Sequence, residues 1–149
     1  MNRRLFAVAL AILMCFAATG CPSPEKGCGV VLRAEAFLGA HVFPVLDPAV
    51  SVLAPPEWSS RYLTAKAGFR VAYGRIAEWC ERQQAGEPLE TRDIADTLGE
   101  AAVLASDLIG LWQEQQAAGL VIVPRAGAPD PSKLLADLAE VQREAAKAR

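Results

Sequence analysis

The 149-residue chain reads as an all-α protein, a small bundle of three to four helices with a central antiparallel helical hairpin. Two stretches, from Ser59 to about Gln84 and from Pro88–Thr91 to about Ala118, repeat apolar residues at the three-, four- and seven-residue steps of one helical face. Those two stretches carry opposite charge excesses, as neighbouring helices would. A composition of 52% apolar and 21% charged residues at net charge −2 fits one compact domain and excludes a disordered tail. It also lacks the basic excess of a nucleic-acid binder.

The elements follow in order. Asn2, Arg3 and Arg4 make a short basic start, and Leu5 to Ala18 is uninterruptedly apolar, the pattern of a secretory signal over residues 1–20. Gly20 and Pro22 stop the run short of the roughly 20 residues that a spanning helix needs. Residues 21–29 show no apolar period beyond Cys21 and read as a tether, leaving 30–149 as the helical domain. A first helix is expected from Gly29 to about Val42, ending before Pro44 because the residue preceding a proline is pushed out of the helical region. Residues 43–58 then read as an irregular loop on the core, with Pro44, Pro48, Pro55 and Pro56 among Val45, Leu46, Val50, Val52 and Leu53.

The second helix is expected to start at Ser59 as N-cap, with Trp58 and Leu63 forming a hydrophobic staple, and to bury Tyr62, Phe69, Tyr73, Ile76 and Cys80. The third carries Ile94, Leu98, Ala101, Ala105, Leu108, Ile109 and Trp112 as its core stripe and stops at Gly119. Gly99 and Gly110 fall near one face of it, where small residues admit a close neighbour or are simply tolerated. Beyond the run Leu120–Val123 and a Pro/Gly loop, Asp130 and Pro131 mark the start of a last helix. That helix reaches about Ala148 and carries Leu134, Leu135, Leu138, Val141 and Ala145 on one side.

The second helix holds Arg61, Lys66, Arg70, Arg75 and Arg82, and the third holds Asp93, Asp96, Glu100, Asp107 and Glu114. Folded as a hairpin about residues 85–90, they bring Arg61 to Glu114, Arg75 to Glu100 and Arg82 to Asp93, spaced by sevens as the flanks of a coiled-coil seam. Exposed pairs stabilise by only about 0 to 1 kcal/mol each, so their expected role is to select register rather than to form a binding site.

The segment Ala18-Thr19-Gly20-Cys21 after the apolar run resembles the lipobox of bacterial lipoprotein precursors, with Ala18 where Leu is commoner. The resemblance covers the signal and not the helical domain. It implies cleavage before Cys21, a diacylglyceryl thioether and an N-acyl chain such as palmitate on that residue, and stable attachment, since several chains bind a membrane where one does so marginally. Pro22 in place of an Asp implies, by the same resemblance, the outer membrane at its periplasmic face. The alternative is an ordinary secreted protein cut near Ala18 or Gly20, with Cys21 left as a thiol or disulfide partner.

Of four cysteines, Cys15 leaves with the signal and Cys21 is consumed by lipid, so Cys28 and Cys80 remain as a disulfide candidate in an oxidising compartment. The bond would close about 50 residues and stabilise by roughly 3 to 4.5 kcal/mol in the chain-entropy model. Alternatively Cys80 is a small buried hydrophobe and Cys28 a free thiol. Removing residues 1–20 takes away Arg3 and Arg4 and no acid, lowering the charge from −2 to about −4, against binding of anionic lipid or nucleic acid.

No nucleophile elbow, zinc-protease motif, phosphate loop or calcium loop occurs in the sequence, and two cysteines with one histidine, His41, do not make a zinc site. Glu35 or Asp47 would have to join His41 in a deep pocket for an enzyme or small-ligand reading to stand. Neither catalysis, a metal nor a cofactor is expected. The aromatics Trp58, Tyr62, Phe69, Tyr73 and Trp112 read as core, and Trp79, one step off the stripe, as a possible partner contact. The expected function is a membrane-anchored envelope lipoprotein whose non-catalytic domain binds another envelope protein. Two narrower variants are a pilotin-like secretion chaperone, which a groove beside Gly99 and Gly110 would favour, and a prophage-encoded surface lipoprotein for infection exclusion or lysis.

Overall fold

The computed structural model describes residues 24–52, 54–87, 91–119 and 130–148. The expectations for residues 1–23, for the turn at 88–90 and for Leu120–Val123 with its loop lie outside them. The described residues form an all-α bundle and contain no strand. We label the helices α1 (Pro24–Phe37), α2 (Phe43–Val52), α3 (Pro56–Gln84), α4 (Thr91–Ala117) and α5 (Ser132–Lys147), with a π-helical turn, Leu38–Val42, joining α1 to α2.

Two sequence expectations fail at the N-terminal side. The expected tether is helical from Pro24, and the expected loop at 43–58 is helical through Val52, so helix runs almost without interruption past Pro44 and Pro48. The π turn is what accommodates Pro44, whereas Pro48 lies within regular helix. A proline ring collides with the carbonyl four residues back and supplies no N–H, and widening the turn so that Phe43 N–H donates to Leu38 O relieves that local conflict. Both residues flanking the turn, Phe37 and Phe43, keep right-handed helical angles, Phe43 at φ −62° and ψ −44° although it precedes Pro44.

Burial supplies the driving force. Val31, Ala34, Leu38, Val42 and Leu46 are fully buried, and the last four are spaced by fours. Steps of four drift by about 40° each around a regular α-helix, and the wider π turn takes up that drift. By length and composition Lys26–Val50 is long and apolar enough to cross a membrane, and within the bundle one stripe of it, Val31, Ala34, Leu38, Val42 and Leu46, packs on the core while Leu32 is exposed.

The α3 start is also displaced. Ser59 lies within the helix, donating its N–H to Pro55 O, while Pro56 occupies the first helical position, where the missing N–H costs nothing. No staple forms: Leu63 is 53% exposed, and Trp58 turns inward to stack on Tyr62 at 5.6 Å. The far end of α3 is as expected. Gly86 at φ +76° closes it, with Glu87 N–H donating back to Arg82 O in a Schellman arrangement.

Helix α4 is the centre of the bundle, packing against α1, the π turn, α3 and α5. Its predicted stripe is buried throughout, and Gly119 at φ +70° ends it. The hairpin register is close to that expected: Gly68 faces the Leu104 side chain, and Arg75 shares a groove with Glu100. Helix α5 buries Leu138, Val141 and Ala145, and Asp130 Oδ1 accepts hydrogen bonds from the Ser132 N–H and hydroxyl at its start.

The two glycines grouped by the sequence part company. A Cβ on Gly99 would lie 2.8 Å from Ala145 Cβ, whereas one on Gly110 or Gly74 would meet nothing within 4 Å. Gly99 is therefore a point of close approach between α4 and α5. Gly74→Ala should stabilise by about 1 kcal/mol through helix propensity, while Gly99→Ala should destabilise by roughly 1 to 3 kcal/mol because Ala145 cannot swing aside. Urea unfolding of both variants followed by circular dichroism checks the opposite signs.

Candidate functional site

Three features of the described residues hold chemistry or open surface. The first is the cysteine pair. Cys28, on the second turn of α1, is 7% exposed, and Cys80, near the end of α3, is half-buried at the edge of the same core. Both are free thiols in the structure, and the two side chains are close enough for Cys80 to act on the Cys28 thiol. Burial, the Cys80 hydrogen bond and the Cys80 charge push the Cys28 thiol up to about 12. Residues far apart in sequence are thus brought together as a disulfide would require.

The second is a groove of about 390 Å³ between α1 and α5. Gly29, which carries no side chain, Val30 and Val141 give it an apolar floor. Lys26 and Arg33 line the α1 side, opposite Asp137, Glu140 and Glu144 on α5. Arg33 Nη2 reaches Asp137 Oδ2 at 3.0 Å across this seam. A shallower opening between α4 and α5 is lined by Gly99, Val103, Leu104 and Gln142, without Gly110.

The third is a polar clamp between α2 and α3 that sequence reasoning missed. Asp47 Oδ1 accepts a 2.6 Å hydrogen bond from Tyr62 Oη and a second bond from Lys66 Nζ. Lys66 also lies 4.7 Å from the Phe43 ring centroid, with Arg70 on the same ring at 5.9 Å. Partial burial works to raise the Asp47 pKa, but the hydrogen bonds from Lys66 and Tyr62 and the Lys66 and Arg70 charges outweigh it and hold the carboxyl below its ordinary value. Tyr62 moves the other way, raised by burial and by the Asp47 hydrogen bond and charge. Asp47 was legible only as a possible partner of His41; the Asp47-Pro48 step suggested a loop and concealed the helix that aims the carboxylate at α3.

The remaining expected site residues are dispersed. Cys21 lies outside the described residues. Ion pairs among the described residues do not include Arg61 with Glu114, Arg75 with Glu100 or Arg82 with Asp93. Arg82 Nε instead meets Glu87 Oε2 at 2.7 Å beside the helix cap, a partner five residues away that the chain delivers locally. Arg75 and Trp79 do share a shallow groove with Asp93, Asp96 and Glu100, so charge complementarity is present without direct contact, as expected where exposed pairs stabilise little. His41 sits in the π turn, tilted against Phe37 at 5.2 Å, and Phe37 meets Trp112 edge-on. The indole nitrogens of Trp58 and Trp112 are buried without an acceptor among the described residues. No cluster of three or more His, Cys, Asp or Glu able to hold a metal occurs among those residues.

The chain matches no known protein-family profile, no curated protein and no solved structure.

The clamp sets a pH dependence. A carboxyl held below its ordinary value contributes stability that is present above about pH 4 and is lost as pH falls through the folded-state pKa. The raised Tyr62 contributes below about pH 10 and loses its contribution as pH rises through its folded value. Asp47→Asn should cost about 1 kcal/mol near neutrality, discounted because the carboxylate is half-exposed, and the deficit should close toward pH 3. Urea midpoints of wild type and variant across pH 7 to 3 check both the size and the convergence.

Proposed function

We propose that the chain is a lipid-anchored bacterial envelope lipoprotein whose helical domain is a non-catalytic module for binding another envelope protein. The observation that carries this reading is the run from Arg3 through Cys21, in which a basic start, a short apolar stretch, small residues and a cysteine coincide. Packing is compatible with it. The described helical residues start at Pro24, three residues after the proposed lipid site, and the apolar stretch Lys26–Val50 packs one stripe on the bundle core. The anchor in this reading is the acylated Cys21, with the outer membrane as its location.

Open surfaces support binding over catalysis. The α1–α5 groove is a trough with an apolar floor between walls of opposite charge, and the ionisable groups around it are paired or spread along helix faces. A second reading, the pilotin-like chaperone, draws support from the opening beside Gly99, where exposed Val103 and half-buried Leu104 offer an apolar strip for an amphipathic helix. In-cell crosslinking from Val103 separates the two: a channel-subunit helix at that position supports the chaperone, and a different envelope protein supports the general module.

Intact mass of protein purified from bacterial membranes tests the anchor directly. The expected product begins at Cys21 and carries acyl chains, and Cys21→Ser should abolish acylation and move the protein out of the membrane fraction. An unlipidated mature chain cut near Ala18 or Gly20 would leave a free secreted domain.

A further inference from the structure

We propose that Cys28 and Cys80 are an oxidisable pair that forms a disulfide bond between α1 and α3, entered through Cys80 and closed by Cys28. The proposal extends the envelope reading, resting on it only for the oxidising compartment. Geometry supplies the rest. Cys28 lies in the core and Cys80 packs at its edge, near enough for the Cys80 group to act on the Cys28 thiol although 51 residues and the whole of α2 separate them. They are on elements with few other ties to each other, since α1 and α3 meet over a much smaller contact than either makes with α4.

The asymmetry of the pair fixes the order of events. Cys80 is half-buried at the bundle edge, whereas Cys28 faces the core, 7% exposed and with a thiol pushed up by burial, which leaves it protonated and shielded. The oxidant is a disulfide, either a small one such as oxidised glutathione or that of a dithiol oxidoreductase. The Cys80 thiol gives up its proton as its Sγ attacks one sulfur of that disulfide; the old S–S bond breaks and the other sulfur departs as a thiolate that takes up a proton. Cys28 Sγ then loses its proton and attacks Cys80 Sγ, the mixed bond breaks, and the second half of the oxidant leaves as a thiol. Two protein thiols become one disulfide while one oxidant disulfide becomes two thiols. The same asymmetry protects the product, because an external thiolate reaches only Cys80 and must expel Cys28, a poor leaving group.

The test uses the mature full-length protein equilibrated in buffers of reduced and oxidised glutathione, quenched by alkylation and read by intact mass and peptide mapping. Oxidation should remove both alkylation sites together, yield a species lighter by two hydrogens with a Cys28–Cys80 peptide, and raise the thermal midpoint by roughly 10 °C over the reduced form. Cys28→Ala should accumulate one glutathione on Cys80, and Cys80→Ala should leave Cys28 unmodified while the fold, checked by circular dichroism, persists. Wild-type thiols that both remain alkylatable, or a bond from Cys21 to either cysteine, would overturn the pairing. Equal glutathione uptake by the two variants would overturn the order of attack. Failure of the lipoprotein reading has a separate signature, Cys21 alkylated and without acyl chains, and leaves the Cys28–Cys80 result readable.

Discussion

The rest of the structure depends on the burial of α4 on several sides at once. Ile94, Leu98, Ala101, Ala102, Ala105, Leu108, Ile109, Leu111 and Trp112 are all 5% exposed or less, and together they occupy more of the helix circumference than a single amphipathic stripe. A helix buried this way can be stable only if other helices surround it, and α1, α3 and α5 do so. Small residues make the arrangement possible. Gly99, Ala101, Ala102 and Ala105 keep α4 thin over two turns, and a single added Cβ at Gly99 would collide with α5.

That requirement explains why α1 and α2 form one nearly continuous helical arm despite two prolines. An irregular segment over the core would leave backbone N–H and C=O groups to be satisfied away from water, each at about 1 to 3 kcal/mol. A helix satisfies most of them internally and still presents Leu38, Val42 and Leu46 to the core, with the π turn as the local concession to Pro44. The clamp then fixes the arm on its outer side. Asp47 holds Tyr62 and Lys66 of α3, and the Phe43 ring takes the cationic ends of Lys66 and Arg70, so α2 is tied through side chains to a helix it meets mainly at one edge.

Periodicity made α3, α4 and α5 legible because their apolar residues recur with the helical period over sixteen residues or more, long enough to outweigh any single residue. Proline was over-weighted at residues 43–58: its local preference is real, and tertiary burial overrode it. The charge pattern indicated which helices are neighbours but not which atoms meet, since Lys66 and Arg70 turn to α2 and Arg82 to its own cap. Cys28 and Cys80 were legible as a pair by counting, while their contact and their unequal exposure were not, because both depend on how α1 crosses the end of α3.

The position of α1 has a mechanical consequence if Cys21 is the membrane anchor. Any force between membrane and domain enters at Pro24, the first residue of α1, and is resisted first by the turns that follow immediately. Those turns hold Cys28 against Cys80, Val30 and Val31 in the core, and Arg33 on Asp137, which together tie α1 to α3 and α5. Arg33 and Asp137 form a surface pair and contribute at most about 1 kcal/mol, and the burial of two valines can be reversed by fraying of a helix end. A covalent link at Cys28 would stop fraying one turn into α1, where the remaining ties are non-covalent.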